Sequence, residues 1–258
     1  MKRRVQYAIS LFKIGESMKS ILLALLSLSV SVGALSQTLD QPATKAGDTW
    51  TYRNTTEKGP SGWNQSRDEI TVTRVTASSI YYSSKPSGSS QPTKELIAGA
   101  DWSRLRDING KETVVNQPFK FPLTAGKTWD VQYQEQHPNK AHKYEKLESK
   151  FVVVGYEDVE VPAGKFKALK IESEGRWTAE LEPGNAVVQG AQSTANGTTM
   201  VTQVQKTNAD PVTGRTYKAF WYAPEVKRWV KSIEEFYSSG GVRNERYTGE
   251  LESYKVGE

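Results

Sequence analysis

From Asp48 onward, apolar residues recur at every second position and almost nowhere at the three-and-four spacing of a helix. Trp50 and Tyr52 alternate with Thr49, Thr51 and Arg53. Ile70 and Val72 alternate with Thr71 and Thr73, and Trp129, Val131 and Tyr133 share a third face. A chain patterned this way buries one side of each extended segment, which is what a sheet does. The segments Phe151–Tyr156, Glu157–Val161, Phe166–Glu174, Met200–Lys206, Tyr217–Tyr222, Trp229–Tyr237 and Arg243–Tyr254 are rich in Val, Ile, Thr, Tyr, Phe and Trp, and bring the expected strands to about a dozen. Asn109-Gly110 predicts a hairpin of Ser103–Ile108 with Lys111–Val115, because that dipeptide accepts positive φ at both central positions of a type I′ turn. The pattern therefore predicts an all-β fold, a curved antiparallel sheet in the form of a half-barrel or clam-like sandwich. A length of 258 residues suits one large domain of this kind.

Two stretches read as loops. Ser83 to Thr93 is rich in Ser, Pro and Gly with no apolar residue, and Pro183 to Thr199 carries Gly184, Gly190 and Gly197. The segment Ala46-Gly47-Asp48-Thr49-Trp50 recurs as Ala125-Gly126-Lys127-Thr128-Trp129, each time ahead of a strand pattern ending in Tyr. That echo predicts a weak internal duplication, with half-repeats 37–121 and 122–258 sharing one core. A chance likeness of five residues is the alternative.

Ahead of these strands, Met18-Lys19-Ser20, the apolar run Ile21–Val32 and the small residues Ala34 and Ser36 have the layout of a secretory signal peptide cleaved after Ser36. Residues 1–36 are then a leader, and 37–258 form a single mature β domain. An apolar run of 12 residues is too short to span a bilayer, which takes ~20. The stretch before Met18 either lengthens the basic start or precedes the true start, and the second reading is preferred. The leader holds Lys2, Arg3, Arg4, Lys13, Lys19 and Glu16; taking these from 34 basic and 29 acidic residues leaves 29 and 28. A nearly neutral mature chain gives no electrostatic case for nucleic-acid binding, and no later segment is apolar enough to cross a membrane. The expected location is the periplasm or the outside of a bacterium.

Three motifs carry a likeness to a family. Pro122–Trp129 (Pro-Leu-Thr-Ala-Gly-Lys-Thr-Trp), Val161–Ile171 (Val-Pro-Ala-Gly-Lys-Phe-Lys-Ala-Leu-Lys-Ile) and Trp221–Val230 (Trp-Tyr-Ala-Pro-Glu-Val-Lys-Arg-Trp-Val) resemble those of a group of exported bacterial proteins of unknown function. The resemblance implies a curved β half-barrel over about Pro122 to Tyr237. Its motifs are structural, a strand–turn–strand at Val161–Phe166 and a strand stopped by Pro224, and it supplies no catalytic residue. Where such proteins often show Gly before the last valine, this chain has Lys227-Arg228-Trp229.

Chemistry is sparse. The absence of Cys excludes disulfides, thiolate zinc or iron–sulfur sites, thiol catalysis and a lipidated N-terminal cysteine. His137 and His142 flank Pro138 at a spacing that matches neither a helical zinc pair nor a carboxylate-flanked motif, and are expected in solvent. No Gly-x-Ser-x-Gly elbow, Ser-x-x-Lys or phosphate-binding glycine motif occurs, so no catalytic residue, metal ligand or cofactor is assigned. Glu172 and Glu174 share a strand face and Glu234 and Glu235 sit in another strand, which reads as the solvent side of a half-exposed sheet. Asn54, Asn64 and Asn196 begin Asn-x-Ser/Thr triplets that matter only in a eukaryotic secretory route.

Aromatic rings are the remaining functional hint. Trp50, Trp129 and Trp221 are expected in the core, whereas Trp63, in Gly59-Pro60-Ser61-Gly62-Trp63-Asn64, is the candidate ligand-binding ring. The functional expectation is an exported, non-enzymatic binding or cell-envelope accessory protein. Its partner would be a small apolar, amphipathic or lipid-like ligand in the hollow of the sheet, or an envelope protein. A carboxylate-based hydrolase of envelope or plant polysaccharide and a purely structural interaction module are the alternatives.

Overall fold

The computed structural model describes residues 38–59, 62–90, 93–140, 142–182, 187–195, 198–206 and 211–257, with backbone alone at 187–206. The chain divides into residues 1–35 and 36–258, and the description concerns the second unit. The leader and its cleavage point lie outside the described residues.

The strands are β1 (Thr49–Lys58), β2 (Trp63–Val75), β3 (Ser79–Pro86), β4 (Lys94–Gly99), β5 (Arg104–Ile108), β6 (Lys111–Asn116), β7 (Thr128–Gln136), β8 (His142–Val161), β9 (Gly164–Leu181), β10 (Val187–Ala195), β11 (Thr198–Lys206), β12 (Val212–Ala223), β13 (Arg228–Ser238) and β14 (Arg243–Lys255). Twelve of them make one antiparallel sheet in the order β6-β5-β4-β3-β2-β1-β14-β13-β12-β9-β8-β7, and β10 and β11 pair only with each other. The expected all-β class is therefore observed. Two meanders meet where β1 pairs with β14. At the other joint β6 and β7, neighbours in the chain, are the two ends of the sheet. An Arg106–Glu135 ion pair and the Arg106 guanidinium 5.3 Å from the Tyr133 ring bridge β5 and β7 at this seam, and a 2.9 Å hydrogen bond from Lys218 Nζ on β12 reaches Asn116 on β6, so the sheet is barrel-like and nearly closed.

The turns follow their residues. Asn109 and Gly110 take φ of 54° and 78° between β5 and β6, as the type I′ reading requires. Pro162 and Ala163 separate β8 from β9, and Pro224 ends β12 by opening a single 3-10 turn, Pro224–Val226. Lys227 then adopts a left-handed φ of 60°. The two Ala-Gly-x-Thr-Trp segments are built alike. Gly47 N donates to Val72 O at 2.9 Å and Gly126 N to Val153 O at 2.8 Å, while Val72 N and Val153 N return bonds of 2.9 Å to Asp48 O and Lys127 O.

Several local expectations are corrected. Ser83–Pro86 belongs to β3, because β2 and β4 on either side supply ladder partners that outweigh a turn-like composition. Much of the supposed loop from Pro183 to Thr199 is β10 and the start of β11. The strands read separately at Phe151–Tyr156 and Glu157–Val161 are one strand, irregular between Val153 and Gly155, where Gly155 takes a φ of 151° open only to glycine. Trp63 is the first residue of β2 rather than part of a loop.

The core face of the sheet is filled by its own side chains. Trp50, Trp102, Phe119, Phe151, Phe220 and Tyr222 are buried. Their rings meet edge-on or tilted, Trp50 with Trp102 at 5.4 Å and Phe119 with Tyr222 at 4.9 Å, as ring quadrupoles favour. Trp129, stacked on Phe151 at 5.3 Å, and Trp221 are also buried, as expected. Within this cluster lies Arg228, its guanidinium carbon 4.1 Å from the Trp229 ring and 4.3 Å from that of Trp102. Burial pulls its pKa below the usual arginine value, with Tyr52 acting the other way. The Tyr52 phenol is pushed up to about 12, by burial above all, and donates to the Trp229 carbonyl at 2.6 Å.

Candidate functional site

Because strand side chains alternate, the face opposite the core can be read residue by residue. On it lies a cavity of about 700 Å³ across β7, β8, β9, β12 and β13. Asp130, Gln132, Glu148, Lys150, Glu174, Arg176 and Arg215 are exposed and supply its walls, whereas the intervening Val131, Ser149 and Thr216 are buried and point to the core. Glu235 and Tyr237 line it as well; Phe236 between them does not.

Gly175 explains the floor. A Cβ there would stand 2.4 Å from Ser149 Oγ and 2.5 Å from Thr216 Oγ1, so its core side is already taken by hydroxyls from both neighbouring strands.

Register sets the charges in rows. One row runs Asp130–Lys150–Glu174–Tyr217–Glu235, and the next runs Gln132–Glu148–Arg176–Arg215–Tyr237. Arg176 and Arg215 are therefore directly opposite one another, an arrangement that like charges disfavour. Among the described residues neither has a carboxylate within ion-pair distance, and Arg215 lies 5.1 Å from the centre of the Tyr237 ring. Their neighbours are committed elsewhere. Tyr237 donates to Glu235 at 2.7 Å, and Glu235 also receives Arg243 at 3.2 Å and Arg246 at 3.6 Å. Tyr217 donates to Glu172 at 2.7 Å, and Lys170 bridges Glu172 at 2.9 Å and Glu157 at 3.1 Å. Burial acts to raise the Glu172 pKa, but the bonds from Lys170 and Tyr217 outweigh it and hold the carboxyl below its ordinary range. The Tyr217 phenol is pushed well above its usual value, by burial first and then by Glu172.

A second hollow of about 500 Å³ on the same face is lined by Thr55, Glu57, Gly59, Gly62, Trp63 and Gln65. The Trp63 ring is 69% exposed. His137 is exposed and bonds Glu182 at 2.6 Å; His142, expected in solvent, is half-buried against the Trp177 ring, 6.4 Å between centroids. Of the carboxylates singled out in the sequence, Glu172, Glu174 and Glu235 face outward, while Glu234 turns to the core side and meets Lys218 at 3.2 Å. Among the described residues no group of three or more His, Asp or Glu could hold a metal ion. Sequence reading missed Arg176, Arg215, Tyr217 and Tyr237. Their period-two spacing was visible, but nothing in it reveals that β9 pairs with β12 across an intervening hairpin.

No protein-family model and no curated protein sequence matches the chain. Two solved structures are similar to it. A candidate lipoprotein from Parabacteroides distasonis aligns with 85% of this chain and 100% of its own at 13% identity and a TM-score of 0.42. A candidate exported protein with a YmcC-like fold from Bacteroides fragilis aligns over the same shares at 15% identity and a TM-score of 0.41.

Proposed function

We propose that this chain is an exported, extracytoplasmic binding protein that holds an acidic, hydroxyl-rich ligand, an acidic saccharide in class, in the outward-facing cavity. The observation that carries the reading is the pair Arg176 and Arg215, set side by side in the cavity with, among the described residues, no carboxylate within ion-pair distance of either. Guanidinium groups in that position suit a carboxylate or similar oxyanion, which they bond in a charge-assisted, two-pronged way. Glu148, Glu174, Asp130 and Gln132 offer acceptors for hydroxyl groups, and Tyr217 and Tyr237 offer ring surface to the C–H faces of a sugar. The ligand is thus amphipathic rather than apolar, since the aromatic face of the sheet is occupied by its own rings. Export rests on Lys19, Ile21–Val32, Ala34 and Ser36. Of the carboxylates singled out in the sequence, Glu172 is bound by Tyr217 and Lys170 and Glu235 by two guanidinium groups, contacts that favour the charged form over the protonated acid a hydrolase uses.

The test is calorimetric titration with a uronic-acid disaccharide and with its neutral counterpart. Binding of the acidic sugar alone, weakened at least about tenfold in an R176A/R215A variant and weakened by salt, is the expected result. Equal binding of both sugars, or an unchanged affinity in the variant, overturns the reading.

A further inference from the structure

The two hollows are not independent places on the surface. Register carries the cavity row onward through the rest of the sheet, as Asp130–Lys150–Glu174–Tyr217–Glu235–Arg246–Glu57–Trp63. All eight side chains belong to one face and one cross-strand line. We infer that the cavity and the Trp63 hollow are the two ends of a single track for a linear anionic glycan, a reading that rests on the acidic-saccharide assignment of the cavity.

Three observations carry it. First, eight strands span seven inter-strand steps of about 4.8 Å, so the track follows the sheet for roughly 34 Å, the reach of an oligomer and not of one sugar. Second, the stretch between the hollows is electrically balanced. Glu57 and Glu235 are bound there by Arg243 and Arg246, with Arg243 at 2.8 Å from Glu57 and 3.2 Å from Glu235, so an anionic chain crosses it without facing a bare carboxylate. Third, Trp63 ends the row as an exposed ring with no core contact of its own to serve, available to stack on a sugar face.

The experiment is a titration of the purified mature chain with an oligogalacturonate series of increasing length, repeated with W63A and W63F. Affinity is expected to rise with length until the oligomer reaches Trp63. W63A should weaken only the long members, by about three- to tenfold, and W63F should restore part of the loss. Protection of Trp63 from a collisional fluorescence quencher by long but not short oligomers gives a second readout on the unaltered chain. Short oligomers that bind as well as long ones, with Trp63 equally quenchable, overturn the track and leave the cavity assignment standing. Failure of every length to bind removes both.

Discussion

Lys227 takes the left-handed turn at which glycine would be at ease, and its side chain accounts for its place there. Nζ donates to the Ala43 carbonyl at 2.9 Å and the Gly257 carbonyl at 2.5 Å, and lies 3.5 Å from the buried Asp48 carboxylate. Asp48 in turn accepts from Gly257 N at 2.8 Å. One ammonium thus ties the start of β1 to the chain after β14. Trp221 is a second residue held by polar partners. Its ring is 8% exposed, its Nε1 donates to Glu157 at 2.8 Å, and Lys170 and Lys231 lie near the ring at 5.4 and 5.8 Å. Trp221→Ala is expected to lower unfolding free energy by ~3–5 kcal/mol in denaturant titration. A variant as stable as the parent that has lost its ligand would instead move Trp221 into the binding site.

At the scale of the element, the β8–β9–β12 triple shows what a single glycine permits. Gly175→Ala would press a methyl against Ser149 Oγ, Thr216 Oγ1 and, at 2.8 Å, the Glu148 carbonyl. The expected cost is ~1–3 kcal/mol by thermal or chemical unfolding, and a neutral result would mean that the neighbouring strands separate easily at this point. Strand identity was largely legible in the sequence because alternation is a local property: Trp50 and Tyr52, Ile70 and Val72, and Trp129 and Val131 all face inward as read. Ser83–Pro86 was illegible for the opposite reason, since its pairing partners β2 and β4 decide its conformation, not its own composition. The site was legible only in part. Glu172 and Glu174 could be placed on one face from spacing, but the meeting of Arg176 with Arg215 depends on a pairing that skips two strands, and the exposure of Trp63 on the same row depends on the joint between β1 and β14.

Over the whole molecule, the sheet is held unevenly. Adjacent strands in the second meander share long ladders, whereas β4 and β5 meet only at Ala98 and Arg104. The β5–β6 hairpin should therefore open ahead of the rest. In hydrogen exchange, the ladder amides of Arg106 and Thr113, a hydrogen-bonded pair of the β5–β6 hairpin, are expected to exchange at least about tenfold faster than those of Ile171 and Phe220. Equal protection would mean that the seam with β7 is locked as firmly as the ladders. The Lys227 clasp adds a directional consequence. It sits at the Thr49 end of the β1–β14 pair, and Trp63 sits beside Glu57 at the other, eight residues along the strand and about 27 Å away. Whatever is joined to the chain beyond Gly257 hangs from the clasped end. Coupled to a sensor surface through that end, the molecules would stand in one orientation, with Trp63 at the end turned toward the flow.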